Sequence, residues 1–236
     1  MVNPNGVLFA RGAEVDVGGL VASTLNLSHE NFIAGHYKFD GGGTGEVRNA
    51  GTIEAHGGGV AMLGAHVTND GTITAHGGTV ALAAGDKISV NLDSPALGVT
   101  IERGALQALV ANHGVIKSPG GAIELTAAGT DQLIKSAVNN DGIIEANSLT
   151  SCNGVIRLTG DDITNTGTLH TDGSDSTAGR IDVHGAHDVT LGATSLVSAN
   201  GTRGGEVTVQ AHGGTCSRMA RSRPTVILMW AVGCNC

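Results

Sequence analysis

Apolar and polar residues alternate in short segments that recur along most of the chain. A cassette of Gly, any residue, a β-branched residue, any residue and an apolar residue occurs six times. Because the side chains of a strand alternate between its two faces, each cassette predicts a short strand with one face buried. The central residues, expected to be buried in one column, are Val60, Val80, Ile123, Ile156, Ile181 and Val207. The polar residues between the apolar ones are expected to point outward: Glu124, Arg157, Asp182 and Thr208.

A second cassette has an apolar residue, Asn two positions later and Gly two positions after that. A pair of β-strand-forming residues follows each Gly. Asn and Gly both tolerate positive φ, so each copy predicts a turn between two strands. The asparagines, which should line this turn with their amides hydrogen-bonded along the stack, are Asn49, Asn69, Asn112, Asn140 and Asn165.

The spacing of this second cassette predicts a solenoid. Its glycines lie 20, 43, 28 and 25 residues apart, and the interval of 43 is interpreted as two units with an irregular stretch around residues 91–104. A unit of about 20–28 residues with two or three short strands is typical of one coil of a parallel β-helix. About nine coils are expected, stacked at roughly 4.8 Å. An antiparallel sandwich is the alternative, but it has no reason to repeat one strand–turn cassette in order.

Composition agrees with this prediction and narrows the classes of partner. The chain has 236 residues with 38 Gly and only 2% aromatic residues, which disfavours helix and requires an aliphatic core. The formal charge of −8 gives no electrostatic footprint for nucleic acid or an anionic membrane.

The first residues lack the basic and apolar regions of a signal peptide, so the chain is expected to carry none of its own.

The opening residues carry the most specific motif. Asn3, Pro4, Asn5 and Gly6 precede an apolar strand, and a Gly-Gly-Leu-Val-Ala-Ser-Thr run follows at residues 18–24. With these motifs, residues 2–214 resemble the filamentous haemagglutinin family, and more narrowly the secretion domain of two-partner secretion exoproteins. The expected fold class is therefore all-β: a right-handed parallel β-helix, or solenoid, with short extra-helical hairpins and an irregular C-terminal tail.

This resemblance also implies a function. It implies a secreted, cell-surface haemagglutinin-like adhesin scaffold of a Gram-negative bacterium, exported by an outer-membrane transporter whose periplasmic modules recognise the domain. Host-cell glycans or receptors are the expected surface partners. The resemblance places Asn3, Pro4, Asn5 and Gly6 in transporter recognition, while Pro4 and the Asn5–Gly6 pair also predict a structural turn. The family's signal peptide and first coils are expected upstream of this sequence, and further repeats beyond its end.

The same resemblance gives Phe32, Tyr37 and Phe39 a place outside the regular coils, in an extra hairpin or cap. A local hydrophobic patch is the favoured explanation for their clustering, and a partner-binding surface is the alternative.

The remaining chemistry does not favour catalysis or a cofactor. A carbohydrate-active β-helix enzyme would use carboxylates such as Asp161, Asp162, Asp172 and Asp175, yet these adjoin Asn and Gly in predicted turns. A stalk fragment of a contact-dependent toxin is a further alternative. No catalytic residue, cofactor or metal ligand is therefore assigned.

Three histidines, His56, His76 and His212, each lie in an Ala-His-Gly-Gly segment, and the first two should stack in adjacent coils. No acidic or Cys third ligand recurs in phase with them, so solvated turn positions are expected rather than a metal site.

Composition changes abruptly from Cys216 onward. The last 21 residues hold three of the four Cys and the only Trp, and neither cassette occurs there. The expected organisation is a secretion-type β-helix domain over residues 1–215 and an atypical, frameshift-like tail over 216–236. A metal site at Cys234 and Cys236 is disfavoured because no second ligand pair lies at usable spacing.

Overall fold

Three parallel β-sheets run along the length of the chain, and each turn of the chain contributes one strand to each of them. This is a right-handed parallel β-helix. The computed structural model describes residues 1–43, 45–91, 98–130, 136–149, 153–173 and 177–218. No helix in this described part is long and apolar enough to cross a lipid bilayer.

The first sheet holds the strands that end at the predicted asparagine turns. Its eight strands, in spatial order, are β1 (Val7–Phe9), β6 (Glu46–Asn49), β9 (His66–Asn69), β14 (Leu109–Asn112), β17 (Ala137–Asn140), β20 (Asp162–Asn165), β23 (Val189–Leu191) and β26 (Cys216–Arg218). Pairing of β26 with β23 carries the sheet three residues beyond the expected domain end at 215. Residues 219–236, and with them most of the predicted tail, lie outside the described residues.

The second sheet follows the turn. Its seven strands are β2 (Glu14–Val17), β7 (Thr52–His56), β10 (Thr72–His76), β15 (Val115–Lys117), β18 (Ile143–Glu145), β21 (Thr168–His170) and β24 (Leu196–Ser198). In the five inner strands of this sheet, from β7 to β21, one face is buried and the other is in contact with solvent, as period-2 alternation requires.

The third sheet contains the Gly–β-branched cassettes. Its seven strands are β3 (Leu20–Ser23), β8 (Val60–Gly64), β11 (Thr79–Ala84), β16 (Ala122–Ala127), β19 (Val155–Gly160), β22 (Arg180–Gly185) and β25 (Glu206–Ala211). The predicted column is confirmed, because the six central residues pair in register from Val60 through to Val207. All six are at most 4% exposed.

A small antiparallel sheet lies outside the coils, as the family resemblance implied for the region of Tyr37 and Phe39. Its strands, in spatial order, are β13 (Gly98–Arg103), β12 (Lys87–Asn91), β5 (Tyr37–Gly42) and β4 (Leu25–Leu27), and the short helix α1 (His29–Ile33) precedes β5. Phe39, Ile88 and Val90 of this sheet pack on the outer faces of β8 and β11 in a second apolar cluster. Both faces of β8 and β11 are therefore buried.

One detail of the predicted coil structure is wrong. The interval of 43 residues is one coil and not two, because Asn69 pairs directly with Asn112. The additional residues include β12 and β13, which lie outside the coils. Within the described residues the longest sheet has eight strands, against the expectation of about nine coils.

One residue expected to point into solvent is instead buried: Asp182 is 3% exposed. The Nε atom of Arg180 donates to its carboxylate at 2.8 Å, which compensates for the loss of solvent.

Candidate functional site

The four motif residues form an ordered turn at the first coil. The backbone N–H of Gly6 donates to the carbonyl oxygen of Asn3 at 3.1 Å, which closes a β-turn with Pro4 and Asn5 at its centre. The N–H of Asn5 donates to the Asn3 side-chain oxygen at 3.1 Å, so Asn3 sets the turn through an Asx contact. Asn3, Pro4 and Asn5 are exposed, and Gly6 is partly buried. The structural half of the prediction, a tight turn before β1, is confirmed.

Backbone on two sides holds this turn in place. On one side, the N–H of Asn3 donates to the Ser23 carbonyl at 2.9 Å, joining the motif to β3. On the other, the glycine-rich segment after β5 lies directly against it. A Cβ added at Gly45 would lie 2.4 Å from the Gly6 nitrogen, so only glycine permits this approach. The turn is therefore exposed and rigidly positioned.

An apolar groove of about 570 Å³ lies next to the turn, between the first residues and the extra-helical sheet. The sequence predicted a cluster of its aromatic residues, but not the contribution of Met1, Val2 and Val21 from the start of the chain. In the groove, the rings of Phe32 and Tyr37 pack edge to face with centroids 6.5 Å apart. Its lining residues are Met1, Val2, Val21, Leu27, His29, Phe32, Tyr37, Phe39 and Val90.

Ion pairs link the strands of the extra-helical sheet. Arg103 bridges Asp40 of β5 and Asp86, with both N–O distances at 2.7 Å. Lys87 also pairs with Asp40 at 3.2 Å. Hydrogen bonds from Lys87 and then from Arg103 hold the pKa of the Asp40 carboxyl below its ordinary value. Asp40 therefore stays ionised into more acidic solution than a free carboxyl.

The carboxylates considered for catalysis act as local structural acceptors. Asp161 accepts hydrogen bonds from the Ser136 backbone and hydroxyl at 2.8 and 2.9 Å. Asp172 accepts bonds from the Ser198 hydroxyl and the Asn200 backbone, both at 2.6 Å. Asp162 accepts a hydrogen bond from the backbone N–H of Asp188 at 3.2 Å. Asp175 lies outside the described residues.

The histidine pair differs from its prediction in two respects. His56 and His76 do stack, with ring centroids 5.5 Å apart and planes 3° from parallel. They are the last residues of β7 and β10, however, and not turn residues. An acidic residue also accompanies them: Glu54 lies 3.1 Å from His76 Nε2 and 3.9 Å from His56 Nε2. Glu54 lies two residues before His56, so both side chains project from the same face of β7. This spacing was a sequence signal for the cluster, and the prediction overlooked it.

Comparison with known proteins identifies the family. A family model described as the TPS secretion domain, where TPS denotes two-partner secretion, matches residues 1–171. The chain belongs to this family. A heme/hemopexin-binding protein of Haemophilus influenzae is 37% identical over 172 residues, covering 69% of this chain and 19% of that protein. A second protein of that name and species is 31% identical over 186 residues, covering 69% and 20%.

The fold agrees with that of a solved secretion domain. The secretion domain of HMW1 from Haemophilus influenzae superposes with a TM-score of 0.60 at 22% identity, covering 93% of this chain and 76% of that one. The matched part of this TPS chain spans about a fifth of the length of these two curated relatives. It carries the secretion domain of a two-partner-secreted exoprotein, and membership of this family indicates a non-enzymatic role.

Proposed function

We propose that the Asn3–Gly6 turn is part of the export signal that the outer-membrane transporter partner of this TPS domain recognises through its periplasmic modules. The observation that carries this proposal is the exposure of Asn3, Pro4 and Asn5 on a backbone fixed by hydrogen bonds to β3 and within the turn itself. The Asx contact of Asn3 and the fixed φ of Pro4 shape the turn, and they leave the exposed side chain of Asn5 available to a partner. A preordered exposed loop binds at a lower entropic cost than a mobile one.

The adjacent apolar groove supplies a second contact for the same partner. Phe32, which lines the groove, is 59% exposed, and Ile33, the next residue of α1, is 71% exposed. Exposed apolar surface of this kind gains free energy when a partner covers it. The turn would then supply specificity through its polar groups, and the groove would supply buried area.

A secretion assay tests the turn. The chain is placed behind a signal peptide in cells that produce the cognate transporter, and protein in the medium is measured for Asn3→Ala, Asn5→Ala and wild type. Asn26→Ala is the matched control, because Asn26 is an exposed asparagine on β4. We expect secretion to fall roughly tenfold in the motif variants, equivalent to about 1.4 kcal/mol of recognition, while the control secretes normally.

The thermal midpoint of each purified variant separates recognition from folding. A midpoint close to that of wild type, with secretion lost, supports recognition. Normal secretion of both Asn3→Ala and Asn5→Ala would show that the motif shapes only a turn. Secretion without any transporter would contradict the assignment of this route.

For the exported protein, we propose the role of a haemagglutinin- or adhesin-like scaffold at the bacterial surface that contacts host glycans or receptors. The support is the rod-like stacking of coils, which presents long solvated sheet faces. The similarity to two heme/hemopexin-binding proteins favours a second candidate ligand, heme or hemopexin. Titration of the purified chain with hemin and with hemopexin, and a separate measurement of its binding to a glycan array, distinguish these candidates.

A further inference from the structure

We propose that Glu54, His56 and His76 form a binding site for a divalent transition-metal ion of the Zn²⁺ type on the outer face of the second sheet. Asp16 completes the set as a further oxygen donor. The site lies on the coils, apart from the Asn3–Gly6 turn, and the proposal is independent of the proposed export role.

Register places these four side chains together. Strands β7 and β10 pair in parallel, with His56 opposite His76. Strand β2 pairs with the other edge of β7, with Asp16 opposite Glu54. Glu54 and His56 lie two residues apart, so they project from the same face of β7. Three consecutive coils thus present two imidazoles and two carboxylates on one solvated surface.

The atoms that would bind a metal already face one another. The Glu54 Oε1 atom lies 3.1 Å from His76 Nε2 and 3.9 Å from His56 Nε2. The Asp16 Oδ1 atom lies 3.1 Å from His56 Nε2. One ligand atom from each of Glu54, His56 and His76 lies within 4.8 Å of the other two. The Glu54 carboxylate is therefore the central group of the site.

These donors match the chemistry of Zn²⁺. Zinc binds histidine nitrogens and carboxylate oxygens at about 2.0–2.2 Å, and one known ligand set is two histidines and one glutamate with water in the fourth tetrahedral position. Such geometry places ligand atoms about 3.3 Å apart, given those bond lengths. The side chains of Glu54, His56 and His76 are 44%, 53% and 51% exposed, so rotation about their χ angles can bring them together without moving the backbone.

A second imidazole distinguishes this group from an ordinary ion pair. His113 and Asp141, on the loops between the first and second sheets, approach to 2.7 Å but form only a pair. Within the described parts of the chain, the Glu54 group alone brings together at least three such ligand atoms. His113 consequently provides a matched control.

Calorimetric titration with ZnCl₂ tests the site. The full chain is prepared without a polyhistidine tag, and its thiols are blocked with iodoacetamide because thiolates also bind Zn²⁺. We expect a saturable Zn²⁺ site in wild type and in His113→Gln. In His76→Gln and Glu54→Gln the affinity should fall about tenfold or more, since even loss of an outer-shell partner costs about 10–100-fold.

Thermal unfolding provides the second readout. Zn²⁺ that binds only the folded chain raises the thermal midpoint of wild type and of His113→Gln, but not that of His76→Gln. Circular dichroism establishes that each variant is folded before titration. Equal affinity in wild type, His76→Gln and Glu54→Gln would overturn the proposal, as would the lack of saturable binding in wild type.

Discussion

Buried asparagine amides join successive coils along the first sheet. The Nδ2 atom of each asparagine donates to the side-chain oxygen of the next, with the bond from Asn69 to Asn112 at 2.8 Å and that from Asn112 to Asn140 at 2.7 Å. The ladder begins at Asn49 and passes from Asn165 to the Ser195 hydroxyl. Because buried amides are costly without partners, this row favours one register over any slipped alternative.

Asn112→Ala should therefore destabilise the protein strongly. The change leaves the amide of Asn69 without its acceptor and the oxygen of Asn140 without its donor. We expect a loss of about 2–3 kcal/mol in the free energy of unfolding, and a fall of about 4–12 °C in the thermal midpoint for a chain of this size. Thr68→Ala, on the outer face of the same sheet, should change little. Equal midpoints for the two variants would contradict a stabilising ladder.

The glycines that follow the ladder are required for a reason other than the predicted one. Positive φ was expected, but Gly71 and Gly114 are not among the residues with positive φ in the described chain. A Cβ added at Gly114 would instead lie 2.1 Å from the Gly71 carbonyl oxygen, and one at Gly71 would lie 2.1 Å from that of Gly51. Close contact between coils, and not backbone conformation, selects glycine here.

At the scale of elements, the extra-helical sheet converts one sheet face into a second core. Ala61, Leu63, Ala81 and Ala83 are fully buried beneath it, although they alternate with residues of the main core. The unbroken apolar runs of β8 and β11 are the sequence signal for this covering. Later coils alternate apolar with polar residues, and their outer faces remain in contact with solvent.

Acid should loosen this sheet through Asp40. Its pKa in the folded chain is lowered, chiefly by Lys87 and also by Arg103. The resulting stabilisation is present at pH values above the ordinary pKa of aspartate and is lost as the pH falls through the lowered value. Hydrogen exchange of β5 and β12 should rise in that acidic window in wild type. Asp40→Asn should show faster exchange at neutral pH with a weaker dependence on acid, and identical profiles would exclude this contribution.

At the scale of the whole molecule, each coil contacts chiefly its neighbours, so stability should depend on position along the helix. Val80 lies in β11 with strands on both sides, whereas Val207 lies in β25 at the end of the third sheet within the described residues. Both valines are buried.

The same substitution at these two positions should have different effects. Val80→Ala should lower the free energy of global unfolding by about 2 kcal/mol, because it removes two buried methyl groups and leaves a cavity. Val207→Ala should mainly accelerate hydrogen exchange in β25 and leave the main transition nearly unchanged. Equal shifts of the main transition would indicate that the coils unfold as one unit.

The sequence by itself determined the coil. The column from Val60 to Val207 and the ladder from Asn49 to Asn165 could both be predicted, because a parallel in-register stack repeats the same residue type at each level. The turn at Asn3–Gly6 was equally predictable, since Pro4 and Gly6 act through local backbone preferences.

Only the tertiary structure decided which residues from different coils meet. The direct pairing of Asn69 with Asn112 depends on β12 and β13 folding outward, a choice that periodicity does not encode. The approach of Glu54 to His56 and His76, and the burial of Asp182 beside Arg180, depend on pairing across strands. Local patterns determine what each strand exposes, but the register between strands determines which exposed groups become neighbours.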